Sequence, residues 1–190
     1  RIQIKNKMAG RRIAIIGDGF SAASLIYQLI DKGVCPKDIT VFGAGKLGLD
    51  GLGLDGLGRG GAYGAVHPAY RLNVRDHLQA LFPHKSDDDK SDDGTAEAFA
   101  KWAASRCASD KGAATPYGRY YRRSDFARYV QDKLQQIGAN AISYHKCEVV
   151  AMAPRAGNDD GSWDDRGDAH GWDITLSSHD HHHAELVFLA

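Results

Sequence analysis

The sequence predicts an α/β domain that combines a parallel sheet with an antiparallel β-meander, and three observations carry that prediction. Ile13-Ala14-Ile15-Ile16 is a continuous apolar, Ile-rich run ended abruptly by Gly17, the pattern of a strand buried on both faces of a parallel sheet. Across residues 21–32 the apolar positions Ala22, Leu25, Ile26, Leu29 and Ile30 recur at three- and four-residue intervals before Gly33, which predicts one amphipathic helix with a glycine stop. After a turn containing Pro36, Ile39-Thr40-Val41-Phe42 supplies a second strand. Residues 12–42 therefore read as a βαβ unit of about 30 residues, whose crossover is right-handed.

The remaining elements follow in order. Residues 95–106 carry helical spacing at Ala96, Phe99 and Ala103, with Thr95 as N-cap and Glu97 in the first turn. A stronger helix is predicted over 124–137, capped by Ser124, with Phe126, Tyr129, Val130, Leu134 and Ile137 on its apolar face and Gly138 as its stop. Four short runs, 141–145, 148–153, 172–176 and 185–190, are separated by polar, mostly glycine-containing turns and predict a meander returning to a core strand. The last run, Leu186-Val187-Phe188-Leu189-Ala190, is as apolar as the first strand and nothing follows it. A buried strand is an unusual stopping place, so the native protein is expected to continue past Ala190.

One domain is expected over 12–190, with insertions near 43–60, 85–95 and 155–171; residues 1–11, which open on Arg1 and contain Met8, are set apart as non-native or flexible. Within the first insertion Gly48-Leu49-Asp50-Gly51-Leu52 is repeated at once as Gly53-Leu54-Asp55-Gly56-Leu57. Two copies are too few for a solenoid, and the unit lacks the spacing of calcium-binding β-rolls, so a loop expansion is expected. The acidic segment 86–94 reads as a solvated connection.

Composition excludes several classes of function. Lys+Arg 24 against Asp+Glu 24 gives a formal net charge of +0, without the surplus cations that a broad nucleic-acid binder uses against phosphates. At 43% hydrophobic and 25% charged, the 190 residues suffice for a sizeable core. The longest apolar runs fall far short of the roughly 20 residues that span a bilayer, and no signal-peptide pattern precedes Met8. Cys35, Cys107 and Cys147 are odd in number and widely spaced, which argues against a disulfide scaffold and points to a reducing, cytoplasmic compartment.

The chemistry is concentrated in Gly17-Asp18-Gly19-Phe20-Ser21-Ala22, a GxGxxA pattern between a buried strand and the start of a helix, the context of a Rossmann-like dinucleotide-binding fold. Gly17 allows the tight turn, Gly19 lets the backbone approach a pyrophosphate held by the helix N-terminus, and Ala22 keeps the helix close to the strand. The alternative is a tight turn that binds nothing. The acid that closes this fingerprint on the ribose hydroxyls lies about 20 residues on, where the chain has Gly43. Either Asp50 or Asp55 reaches back from the loop, or the contact is missing at a cost of about 1.5–3 kcal/mol.

These residues, followed by Gly58-Arg59-Gly60-Gly61-Ala62-Tyr63-Gly64, His67-Pro68 and Leu72-Asn73-Val74, resemble the FAD/NAD(P)-binding flavoprotein family of bacterial oxidoreductases. More distantly they are similar to flavin-dependent N-hydroxylating monooxygenases. Tyr121-Arg122-Arg123-Ser124-Asp125-Phe126-Ala127-Arg128-Tyr129-Val130 resembles the family's arginine-plus-aromatic helix start, and Glu185-Leu186-Val187-Phe188-Leu189-Ala190 its strand before Ala-Thr-Gly. The resemblance implies the N-terminal FAD-binding part of a longer oxidoreductase, with FAD as cofactor, NAD(P)H as co-substrate and a small molecule as substrate. By the same carry-over Gly17, Gly19, Phe20, Ser21 and Ala22 hold the FAD pyrophosphate. Arg59, Tyr63, Leu72, Asn73 and Val74 lie near the flavin or its phosphates, and Val149 or Val150 meets the adenine. Read on chemistry alone, Arg59 is either a phosphate partner or a solvated loop cation, and Asn73 either a hydrogen-bond partner or a turn residue.

Other constellations are weaker. His179-Asp180-His181-His182-His183 falls where a hairpin turn is expected, which is favoured over a metal site. Asn158-Asp159-Asp160-Gly161 and Asp164-Asp165 lack the ligand alternation of an EF-hand loop, so no metal is assigned. Cys107 and Cys147 read as incidental thiols, although His145 shares a face with Cys147 if one strand runs through both. The Tyr and Arg cluster at 117–128 reads as a packed face with charged edges rather than a nucleic-acid surface. Two alternatives to a flavoenzyme stay open: a flavin-free NAD(P)-dependent dehydrogenase, and a non-catalytic nucleotide-binding or redox-sensing module.

Overall fold

A computed structural model describes residues 10–43, 69–73, 96–106, 113–155 and 171–190. The predicted βαβ unit is present as β1 (Ile13–Ile16), α1 (Phe20–Asp31) and β2 (Ile39–Gly43), with a 3₁₀ turn at Pro36–Asp38 before β2. After it come α2 (Ala96–Arg106), a hairpin of β3 (Ala113–Thr115) and β4 (Gly118–Tyr120), and α3 (Arg123–Gln136). β5 (Ser143–Lys146), β6 (Val149–Pro154), β7 (Trp172–Leu176), β8 (His181–Ala184) and β9 (Leu186–Leu189) complete the described elements.

Four of these strands form one sheet in the order β5-β2-β1-β9, every pair parallel. β1 thus lies in the interior of the sheet with β2 on one side and β9 on the other, the order of the first four strands of a doubly wound dinucleotide fold. The pleat divides its side chains between two cores. Ile13, Ile15, Ile39 and Val41 face the helices and join Ala22, Ala23, Ile26, Phe126, Tyr129 and Leu134. Ala14 and Phe42 face the other way and pack with Ile174, Leu176 and Ala184 of the antiparallel sheet β6-β7-β8. The result is helices on one face of the parallel sheet and a meander on the other. Because both faces are covered, β1 needs the continuous apolar composition read from the sequence.

α1 and α3 end before Gly33 and Gly138, as the spacing predicts. The start of α3 differs. It begins at Arg123 with Arg122 as N-cap and no side-chain cap, so Ser124 sits inside the first turn. Backbone pairing sets the cap two residues earlier than Ser124: the Leu72 amide donates to the Tyr121 carbonyl at 2.9 Å and the Arg123 amide to the Tyr70 carbonyl at 3.0 Å. Thr95, expected to cap α2, lies outside the described residues.

The first run expected in the meander, 141–145, is instead parallel strand β5, in register with β2 through Thr40 to Ser143 and Val41 to Tyr144. α3 crosses the helical face and returns the chain beside β2, and the polar composition of Ser143-Tyr144-His145-Lys146 is that of an edge strand, which carries little directional signal. The meander proper is β6 to β8, and the chain returns to the parallel sheet in β9, paired with β1 through Ile13 to Leu186 and Ile15 to Phe188; against the expectation of a buried core strand, β9 is only half-buried and its Leu189 is exposed. The β3–β4 hairpin was not anticipated, because its three-residue strands are too short to show periodicity. Among the described residues no helix is long and apolar enough to cross a membrane.

Candidate functional site

The carboxyl ends of β1, β2, β5 and β9 converge on the turn at residues 17–19, between β1 and α1. The Gly17 amide donates to the Phe42 carbonyl at 2.8 Å, and the Ala190 amide to the Ile16 carbonyl at 2.9 Å. On the outer side the Cys147 amide donates to the Gly43 carbonyl at 2.9 Å, tying the end of β5 to the end of β2. Gly17 has φ +115°, and the Ala190 carbonyl oxygen stands where its side chain would begin. Glycine is required there by conformation and by space together.

α1 starts at Phe20 with Gly19 as its N-cap, no side-chain cap hydrogen bond and no acidic residue in its first turn. Among the described residues a Cβ built on Gly19 meets nothing within 4 Å, so the helix N-terminus is open on that side. Its first amides are donors that no capping side chain uses, and the helix dipole adds partial positive charge. Ser21 is exposed at this end, and Ala22 is fully buried in the core shared with β1 and β2, as a close helix–sheet contact demands. Phe20 packs on Phe126 of α3, ring centroids 5.6 Å apart, which fixes the turn against the second helix.

Asp18, between the two glycines, does not cap the helix. Its carboxylate lies over Gly43, where a Cβ would stand 2.6 Å from Asp18 Cβ, and its Oδ2 accepts the Tyr144 hydroxyl at 2.7 Å. Tyr144 is opposite Val41, on the face of the sheet that Gly43 also presents. Burial pushes the Tyr144 phenol well above the ordinary tyrosine value, and the hydrogen bond to Asp18 adds to the effect.

On the meander side of the sheet His145 stacks on Phe42 at 5.3 Å and meets His182 edge-on at 4.6 Å. Burial, then His182, lowers the His145 pKa, with Asp180 acting weakly the other way. Burial also raises the Cys147 thiol, with a smaller contribution from Asp180, and its Sγ donates to the His145 carbonyl at 3.6 Å rather than to an imidazole. That geometry makes no activated nucleophile. The histidine tract corrects the expected turn: only His179 lies in it, with φ +69°, while His181, His182 and His183 belong to β8. Alternation in the strand separates their side chains, and no group of three metal-ligating side chains is assembled among the described residues.

The other expected site residues divide into two sets. Leu72 is buried in the helical core, Asn73 is exposed beside it, and Val149 opens β6 two residues after Cys147. Arg59, Tyr63 and Val74 lie outside the described residues, as do Asp50, Asp55, Cys107 and the acidic segments at 86–94, 158–161 and 164–165. The feature that sequence reasoning missed is Asp18, read only as the variable position of GxGxxA. Its signal was present in the pairing of an acid inside the turn with a glycine at the usual acidic position.

The family model for FAD-NAD(P)-binding proteins matches residues 14–190. The chain belongs to that family. A comparison with curated proteins gives no significant match. Among solved structures, the FAD- and NADP-complexed form of OTEMO matches with a TM-score of 0.52 at 13% identity, over 95% of this chain and 25% of that one. The open form of cyclohexanone monooxygenase gives 0.53 at 17%, covering 95% and 26%. A flavin monooxygenase from Stenotrophomonas maltophilia gives 0.51 at 14%, covering 95% and 38%. These likenesses are of fold, and the chain spans about a quarter of the first two neighbours' length. Within the FAD-NAD(P)-binding family, the open N-terminus of α1, the side-chain-free approach at Gly19 and the buried Ala22 fit the pyrophosphate of a dinucleotide.

Proposed function

We propose that the chain is the FAD-binding part of an oxidoreductase that takes hydride from NAD(P)H and acts on a small-molecule substrate. The observation that carries this reading is the N-terminus of α1, uncapped and open at Gly19 among the described residues, at the carboxyl end of β1 where β2 and β9 close on the turn. Membership of the FAD-NAD(P)-binding family supports the cofactor, and the monooxygenase neighbours support the redox class. When bound, FAD supplies hydride acceptance and electron transfer to substrate or oxygen. The chain's own residues perform the holding. The amides of Phe20, Ser21 and Ala22 offer hydrogen bonds and the positive end of the α1 dipole to the pyrophosphate, and Gly19 keeps the approach free of side chain. Phe20, seated on Phe126, fixes the direction in which those amides point.

The test is flavin binding by purified protein. The expected result is flavin absorbance that survives gel filtration, or saturable quenching of FAD fluorescence on titration. Protein that neither retains nor gains FAD, while NAD(P) alone raises its Tm, overturns the reading in favour of a flavin-free dehydrogenase.

A further inference from the structure

We infer that Asp18, held by Tyr144, supplies the ribose-binding carboxylate that the dinucleotide fingerprint ordinarily places at the end of β2, and that this site takes an adenosine whose ribose hydroxyls are free. The inference rests on the FAD reading and names the nucleotide chemistry of the same cradle. In the general fingerprint an acid about 20 residues past the glycines hydrogen-bonds the ribose hydroxyl. Here that position is Gly43, and the space its side chain would enter is already filled by the Cβ and carboxyl group of Asp18. The two positions exclude each other: an acid at the end of β2 and an acid between the glycines cannot both be seated. The Asp18 carboxylate thus stands at the mouth of β2, in the place the fingerprint's acid would take.

Three further observations give the carboxylate a ligand-directed role. A short acid next to an N-cap is well placed to bond the first helical amides, yet α1 has no side-chain cap. Asp18 turns to β2 instead, which leaves the amides for phosphate. One of its oxygens accepts from Tyr144 at 2.7 Å, and the other has no donor among the described residues. Asp18 is half-exposed, and that second oxygen is the one left to accept from a ligand hydroxyl. Tyr144 acts as a positioning residue: its phenol is held protonated by burial and by Asp18 itself, so it stays a donor and keeps the carboxylate over Gly43. A carboxylate accepts from a ribose hydroxyl and repels a 2′-phosphate.

The experiment is calorimetric titration of the full chain with FAD, ADP, 2′,3′-dideoxy-ADP and 2′-phospho-ADP. The wild-type chain is expected to bind ADP about 10- to 100-fold more tightly than the dideoxy analogue, and to bind 2′-phospho-ADP more weakly than ADP. Asp18→Ala should lose the same factor for FAD and ADP, and its preference for ADP over the dideoxy analogue should collapse. Asp18→Gly combined with Gly43→Glu should restore both, because the glutamate then enters the space that Asp18 has left. A wild-type chain indifferent to the ribose hydroxyls, or Asp18→Ala with an unchanged preference, overturns the assignment while leaving FAD binding intact. A wild-type chain that binds neither FAD nor ADP overturns the FAD reading and the assignment with it. The wild-type ratio needs no variant, so a poorly folding Asp18→Ala does not shelter the claim.

Discussion

The carbonyl oxygen of Ala190 fills the space in which a side chain on Gly17 would begin, so the end of β9 and the first glycine of the turn are fitted to each other. Gly17→Ala meets two penalties at once, a φ of +115° and that carbonyl. A loss of about 1–3 kcal/mol is expected from the backbone alone, a Tm lowered by roughly 4–10 °C. Differential scanning calorimetry measures it. A Tm within a degree of wild type would show that β9 does not close on the turn.

Phe99 of α2 is fully buried and meets Phe126 at 5.1 Å, Tyr129 at 5.3 Å and Tyr121 at 5.5 Å between ring centroids. It is the side chain that fastens α2 to α3, helped by the Trp102 indole donating to Asp132 at 2.8 Å. Phe99→Ala should cost about 3–5 kcal/mol, a fall in Tm on the order of 10 °C. Near-ultraviolet circular dichroism should lose intensity in step. Trp102→Phe, which keeps an aromatic but smaller side chain and removes the hydrogen bond to Asp132, should cost about 1.5–3 kcal/mol.

His145 gives the chain an acid-sensitive point. Its folded pKa lies below the ordinary 6.5, so the folded state disfavours the proton. The stabilisation from the neutral ring is complete above about 6.5 and is lost as pH falls through the range beneath it. Denaturant midpoints measured from pH 8 to pH 5 should decline more steeply in wild type than in His145→Gln. Parallel profiles would mean that the Phe42, His145 and His182 contacts are not strained by protonation.

Tyr144 sets the opposite limit. Its folded pKa is above the ordinary tyrosine value of 10.0, so the neutral phenol stabilises the fold fully below that value. That contribution is lost as pH rises from about 10 towards the raised pKa. In an alkaline absorbance titration the Tyr144 phenol should lag behind an ordinary tyrosine. The Tyr144→Phe chain should lose that late-ionising component.

The sequence was most legible where a segment carries a simple apolar or glycine pattern of its own. The all-apolar β1 and β9, the helical spacing of α1 and the glycine stops of α1 and α3 each appear within a residue or two of their expected place. Legibility failed where the deciding contact is long-range. β5 is polar and carries little directional signal, and only the crossover of α3 makes it parallel to β2. The N-cap of α3 is displaced from Ser124 to Arg122 by backbone pairing with residues 70–72, some fifty positions earlier in the chain. In the site, the glycine turn and Ala22 were readable because each answers a local need for space. The role of Asp18 was not, since it depends on Gly43 and Tyr144 arriving beside it from two other strands.

Gly19 offers the most direct test of the central claim that this turn cradles a dinucleotide. Its backbone lies at φ −78° and ψ −168°, which valine tolerates, and a Cβ there touches nothing within 4 Å among the described residues. Gly19→Val is therefore expected to fold with a Tm within about 2 °C of wild type, because isolated surface changes rarely exceed ±0.5 kcal/mol. The branched side chain would nevertheless occupy the pyrophosphate position, so FAD affinity measured by fluorescence titration should fall by at least about two decades. A folded Gly19→Val chain that binds FAD as tightly as wild type would contradict the account.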